Sequence, residues 1–250
     1  MPRFRVSRAV NVVRIEFDDG GMNLLSSEAL RELDTVILSA AKDLVVATVG
    51  AGEVLRSAQD DGSDDPPTVL IFSSARPGLF AAGADMAEMQ HFSGHDAEEF
   101  ARLGQTLFER IERLPMVTVA LIDGDCFGGA LDLALAFDLR FASPRSRFAH
   151  PGSRIGIVTG FGGTSRWRKA LTRAAANQLF LANRVLSADD ALRVGIVDRV
   201  SDSHADAIER LSVLDSATVQ MVKELTIFGS RLSRRELAVL AARLAAVYES

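Results

Sequence analysis

Cysteine is almost absent from this chain. Of 250 residues only Cys126 carries a thiol, so no disulfide can form within the chain, and a reducing compartment fits. A surplus of positive charge is also missing. Lys and Arg number 28 against 33 Asp and Glu, a net charge of −5, which argues against a nucleic acid as the main partner. Any anionic ligand must then be held by local groups. No apolar run approaches the roughly 20 residues of a membrane span, and the N-terminal MPRFRVSRAV lacks the apolar core of a signal peptide. The expectation is a cytoplasmic protein with neither membrane nor nucleic acid among its partners. Short-period repeats are lacking as well. What remains is 48% hydrophobic and 24% charged, ordinary for a globular chain able to bury one sizeable core.

The most informative stretch runs from Val117 to Ala142, VTVALIDGDCFGGALDLALAFDLRFA. The apolar run Val117 to Ile122, bounded by Pro115 and Asp123-Gly124, predicts a buried strand. Gly128-Gly129 then open a helix over Ala130 to Phe137, and a second short strand follows at Leu139 to Ala142. A glycine pair at a helix start offers free backbone N–H groups and the positive end of a dipole. An anion, or an oxygen gaining charge during a reaction, would be stabilised there. Asp132 falls in the first helical turn, where its carboxylate either shares that space or merely offsets the dipole.

Along the rest of the chain, Val13, Ile15 and Phe17 alternate with polar residues as in a half-buried strand. Ser26 or Ser27 caps a helix whose apolar face is Leu30, Leu33, Ile37 and Ala41. Leu44 to Asp65 reads as an irregular surface insertion. Thr68 to Ser73 predicts a second buried strand, and Phe80-Ala-Ala-Gly-Ala-Asp85 leads into a helix near Met86 that Asp85 caps. Asp96 with Glu99 suggests a capping box for a long helix ending at Pro115, and Ser187 with Asp190 caps another that ends near Gly195. Ile196 to Val200 predicts a last strand. Ser233 with Glu236 opens a terminal helix lined by Leu237, Leu240, Leu244 and Val247. Strand and helix alternate throughout, the mark of an α/β protein.

LFAAGADMAEM (Leu79 to Met89) and IDGDCFGGALDLALAFDLRFAS (Ile122 to Ser143), supported by GIVTGFGGTSR and LSADDALRVGIVDRV, resemble the crotonase superfamily, that of the enoyl-CoA hydratases and isomerases. The resemblance implies a spiral of repeated β-β-α units over residues 1–200, with an insertion at about 44–65. It also implies a shortened C-terminal helical trimerisation region over 201–250. It further implies an acyl-CoA thioester as substrate, a homotrimer or hexamer, and no bound cofactor or metal, coenzyme A entering only as part of the substrate. Carried over, the oxyanion hole is the backbone N–H of Ala84 and of Gly129, with Ala82, Gly83 and Gly128 beside the substrate.

Two positions depart from the family pattern. The first glutamate's place is Asp132 and the second's is Gly152, in His150-Pro151-Gly152, which has no side chain to move a proton. Asp132 is therefore the expected acid/base. His150 is a weaker second candidate, against its reading as a turn histidine bonded to backbone. Arg76 is the nearest cation for the phosphates of coenzyme A, because Leu79 stands where a basic residue is common. Cys126 reads as a buried structural thiol, Ser153 and Arg154 as a solvated turn, and Arg166, Trp167 and Arg168 as surface or interface residues. Three functions stay open: an enoyl-CoA hydratase-like enzyme working through an enolate, another crotonase reaction such as hydrolysis or decarboxylation with one carboxylate, or a non-catalytic acyl-CoA-binding protein.

Overall fold

The computed structural model describes residues 2–50 and 67–226. In chain order they form β1 (Phe4–Ala9), β2 (Val12–Phe17), β3 (Leu24–Leu25), α1 (Ser27–Gly50), β4 (Val69–Ser74), β5 (Leu79–Ala81), β6 (Gly83–Ala84), α2 (Met86–Met89) and α3 (Gly94–Glu112). The central stretch supplies β7 (Val117–Ile122), β8 (Asp125–Phe127), α4 (Gly129–Ala134) and β9 (Leu139–Ala142). Then come β10 (Arg147–Ala149), a 3-10 turn (Pro151–Ile155), α5 (Gly163–Ala170), α6 (Arg173–Phe180), β11 (Leu186–Ser187), α7 (Ala188–Val194), β12 (Arg199–Val200), α8 (Ala205–Ser212) and α9 (Ser216–Thr226).

Six strands make the large sheet, in the order β1-β2-β4-β7-β9-β12, antiparallel only between β1 and β2. A second sheet, β11-β10-β8-β5, lies beside it, and β3 pairs with β6. Each unit sends its first strand (β4, β7, β9) to the large sheet and its second (β5, β8, β10) to the small one before a helix, which is the crotonase spiral. The inner strands β4 and β7 are buried on both faces and so read as continuous apolar runs. One face carries Val13, Ile15, Phe72 and Ala120 toward α1 and α3, and the other carries Val69, Ile71, Val117 and Val119 toward Ala207 of α8 and Val219 of α9. Lys223 fastens α9 down, its Nζ donating to Met116 O at 3.0 Å and to Asp138 Oδ2 at 2.7 Å.

Three expectations need correction. The irregular insertion does not begin at Leu44, because α1 continues through Gly50. Once a helix is nucleated each further residue adds a hydrogen bond, which outweighs the small helix penalty of Val45 and Val46. The remainder of that insertion, and the terminal helix with Ser233 and Glu236, fall outside the described residues. The capping box of α3 lies three residues earlier than expected and is formed by Ser93 and Asp96. The last strand is confined to Arg199–Val200, because Ile196 and Val197 are committed to the core after the left-handed Gly195. Among the described residues no helix is long and apolar enough to cross a membrane.

Candidate active site

The two glycine-bearing turns meet. Gly83 has φ +106°, and a β-carbon on it would lie 2.7 Å from Phe127 O and 3.2 Å from Gly129 N, so only glycine lets these backbones approach. A β-carbon on Gly129 would in turn lie 3.4 Å from Ala84 N. The amides of Ala84 and Gly129 are thus close neighbours, and Gly129, first residue of α4, has no carbonyl of its own helix to donate to. Asn23 supports this floor from below. It is fully buried at φ +52°, and its Nδ2 donates to Phe17 O (3.2 Å), Ser74 Oγ (2.8 Å) and Phe80 O (3.1 Å).

Above the amides opens a cavity of about 420 Å³ walled by Met86, Met89, Phe92, Phe100, Val158 and Phe161, with Ala82, Gly83, Ala84, Gly128 and Gly129 at one end. His150 and Thr159 are the side chains on that wall with a polar group. Asp132 is not on the wall. It is 0% exposed and lies behind them, which corrects the expectation that its carboxylate shares the space at the amides. His150 Nε2 is 3.4 Å from Asp132 Oδ2, the Thr159 hydroxyl donates to the same oxygen, and Trp167 Nε1 donates to Oδ1 at 3.1 Å. The turn-histidine reading also falls: His150 is 4% exposed and its ring rests 4.7 Å from that of Phe180.

Two further glycines shape this half. A β-carbon on Gly163 would fall 1.9 Å from Asp132 Oδ1, so the carboxylate fills the space a side chain there would need. At Gly152 a β-carbon would lie 2.7 Å from Ile157 O and 3.7 Å from His150 Cε1. The position of the second family glutamate is therefore closed by backbone, with the imidazole beside it.

Trp167 and Arg166 are not surface residues. They are 2% and 7% exposed, while Arg168 is exposed as expected. Helix α5 turns its buried face inward because Trp167 has a carboxylate to donate to and Arg166 has Glu112, 2.9 Å away. Thr159, Trp167, Gly163 and Asn23 escaped sequence reasoning, since only the fold brings them to the site. Arg76 is absent from the cavity wall and faces Asp18, 3.5 Å away. Asp85 caps α2, accepting from Ala87 N at 2.9 Å and Glu88 N at 3.2 Å. Ser153 is bound to the backbone of Phe180 through its hydroxyl, and Arg154 is exposed. Burial, helped by the charges of Asp132 and Asp125, pushes the Cys126 thiol well up, so it stays protonated and inert.

The family model described as enoyl-CoA hydratase/isomerase matches residues 50–248. The chain is 32% identical over 179 residues to a short-chain-enoyl-CoA hydratase of Clostridium acetobutylicum, covering 72% of this chain and 60% of that one. It is 38% identical over 139 residues to a crotonyl-CoA hydratase of Syntrophomonas wolfei, 55% of this chain and 54% of the relative. The match thus spans little more than half the length of these curated relatives. Among solved structures, Pseudomonas aeruginosa DspI superposes with a TM-score of 0.78 at 24% identity, covering 100% of this chain and 95% of that one. An enoyl-CoA hydratase/carnitine racemase of Magnetospirillum magneticum superposes with a TM-score of 0.80 at 21% identity, over 98% and 88%. At these identities the superpositions speak for the fold, and with the family match covering most of the residues, the chain belongs to the enoyl-CoA hydratase/isomerase family.

Proposed function

We propose that this protein acts on an acyl-CoA thioester through an enolate, as an enoyl-CoA hydratase-like enzyme, with His150 as its proton-transfer group. The observation that carries the reading is a buried Asp132–His150 pair opening, on the histidine side, into the cavity at whose end the Ala84 and Gly129 amides meet. The two N–H groups hold the thioester oxygen as charge builds on it; one such donor is worth roughly 3–4 kcal/mol of barrier. With Nε2 turned to Asp132, Nδ1 of His150 is left for proton exchange. Water attacks Cβ and gives its proton to His150 while the Cα=Cβ electrons move onto the thioester oxygen. The imidazolium then returns that proton to Cα as the enolate collapses. One group thereby does the work divided between two carboxylates elsewhere in the family. Asp132 acts through His150: its carboxylate, 3.4 Å from Nε2, orients the ring. The same reading has the chain working as a homotrimer or hexamer in the cytoplasm.

Hydration of crotonyl-CoA, followed by loss of the conjugated absorbance, tests this in the parent, His150→Gln and Asp132→Asn. The parent turns over, and His150→Gln loses roughly 10²–10⁴-fold in kcat with butanoyl-CoA binding retained. Asp132→Asn also loses kcat with butanoyl-CoA binding retained, because it acts on the histidine. A parent that binds acyl-CoA without hydrating crotonyl-CoA sinks the hydratase label in favour of another crotonase reaction or a binding protein.

A further inference from the structure

Phe161 follows Gly160 on the cavity wall and lies directly beside the Gly129 end. Its ring is wedged between two glycines. A β-carbon on Gly129 would lie 2.9 Å from Phe161 Cε2, and one on Gly104 of α3 would lie 2.2 Å from Cδ1. Phe100 and Phe108 hold the ring edge-on, with centroids 5.0 Å and 5.5 Å away. The backbone is clamped as well: Arg166 Nη1 donates to Phe161 O at 2.8 Å while Nη2 pairs with Glu112 of α3 at 2.9 Å. Only 4% of the residue is exposed, so what it shows the cavity is one edge of a fixed wall. This matched set fills with a ring the space that would otherwise run from the Gly129 amide toward Gly104 and Phe108.

Among the described residues, the rest of the wall carries no charge, with no Asp, Glu, Lys or Arg lining the cavity. A charged acyl group would shed its water against Met86, Met89 and Phe92 with no counter-ion, which is strongly unfavourable.

We infer that the cavity selects short, uncharged acyl groups and that Phe161 sets the length limit. The inference rests on the acyl-CoA reading of the site. It is tested by binding rather than turnover, so that its failure is separate from failure of the hydratase chemistry. Calorimetric affinities are measured for butanoyl-, hexanoyl-, decanoyl- and glutaryl-CoA with the parent, Phe161→Ala and Phe161→Leu. A chain that found full burial would gain about fourfold in affinity per methylene. In the parent that gain stops by hexanoyl-CoA, and glutaryl-CoA binds at least tenfold more weakly than butanoyl-CoA. Phe161→Ala extends the gain to decanoyl-CoA by tenfold or more, and Phe161→Leu, which keeps an apolar filler should the alanine variant fold poorly, falls between. Affinity climbing through decanoyl-CoA in the parent, an unmoved length profile in both variants, or glutaryl-CoA binding as well as butanoyl-CoA would each overturn the inference. Failure of every acyl-CoA to bind would overturn the acyl-CoA reading beneath it.

Discussion

The two halves of the site are built from different materials. The half proposed as an oxyanion hole is backbone: Gly83, Ala84, Gly128 and Gly129 bring amides together, and apart from the room they leave, their side chains contribute nothing. The half proposed for proton transfer is side chain, a carboxylate at 0% exposure reached by the imidazole, a hydroxyl and an indole from the chain between residues 150 and 167. Backbone geometry survives many substitutions and so keeps a recognisable motif, whereas side-chain chemistry can be re-equipped piece by piece. Here the half that departs from the family pattern, at Asp132 and Gly152, is the side-chain half.

The largest break in this contrast comes from Gly163→Ala. The added carbon lands 1.9 Å from Asp132 Oδ1 and must displace the carboxylate. Overpacking of this kind costs about 1–3 kcal/mol, read as a lower thermal midpoint, and turnover falls with it while the amide half, read by acyl-CoA binding, is retained. A variant as stable and active as the parent would mean that Asp132 is not where the dyad needs it. A smaller effect sharpens the comparison from the other side. Gly152→Glu restores the family's second carboxylate in sequence, but its β-carbon meets Ile157 O at 2.7 Å. Crotonyl-CoA hydration then falls rather than rises, and a gain in kcat would show that the backbone there yields.

The smallest effect concerns the turn under the amide half. Burial alone would raise the Asp19 carboxyl, but backbone N–H groups of Leu24, Asn23 and Gly21 and the nearby Arg76 charge together hold it below its ordinary value. A depressed carboxyl stabilises the fold above its unfolded value of about 3.9 and loses that contribution as pH falls through the folded one. Stability measured by denaturant at falling pH should therefore drop below about pH 4, and Asp19→Asn should flatten part of that acid limb. An unchanged acid limb would discount the turn as a support.

Local patterns were legible where one interaction dominates. The run Val117 to Ile122 is a strand because nothing but burial suits it, and Asp85 and Ser187 cap helices because a short side chain beside free N–H groups has one good partner. The reading faltered where a weak preference met a strong context. Val45 and Val46 favour strands, yet they continue an established helix. Ser93 is as good a cap as Asp96, and only the path of the chain decides between them. Trp167 and Arg166, set among basic residues, look exposed until an inward carboxylate is found for each.

What the chain determines alone is the alternation of buried strand and helix, the two glycine turns and thereby the family, since those depend on neighbours a few residues apart. The tertiary structure decided that Asp132 lies behind the cavity wall and not on it. It set the carboxylate behind His150 by packing α4 against α5, and it closed position 152 with the carbonyl of Ile157. Both outcomes depend on ångström-scale distances between groups 5 to 35 residues apart, which spacing along a sequence does not encode.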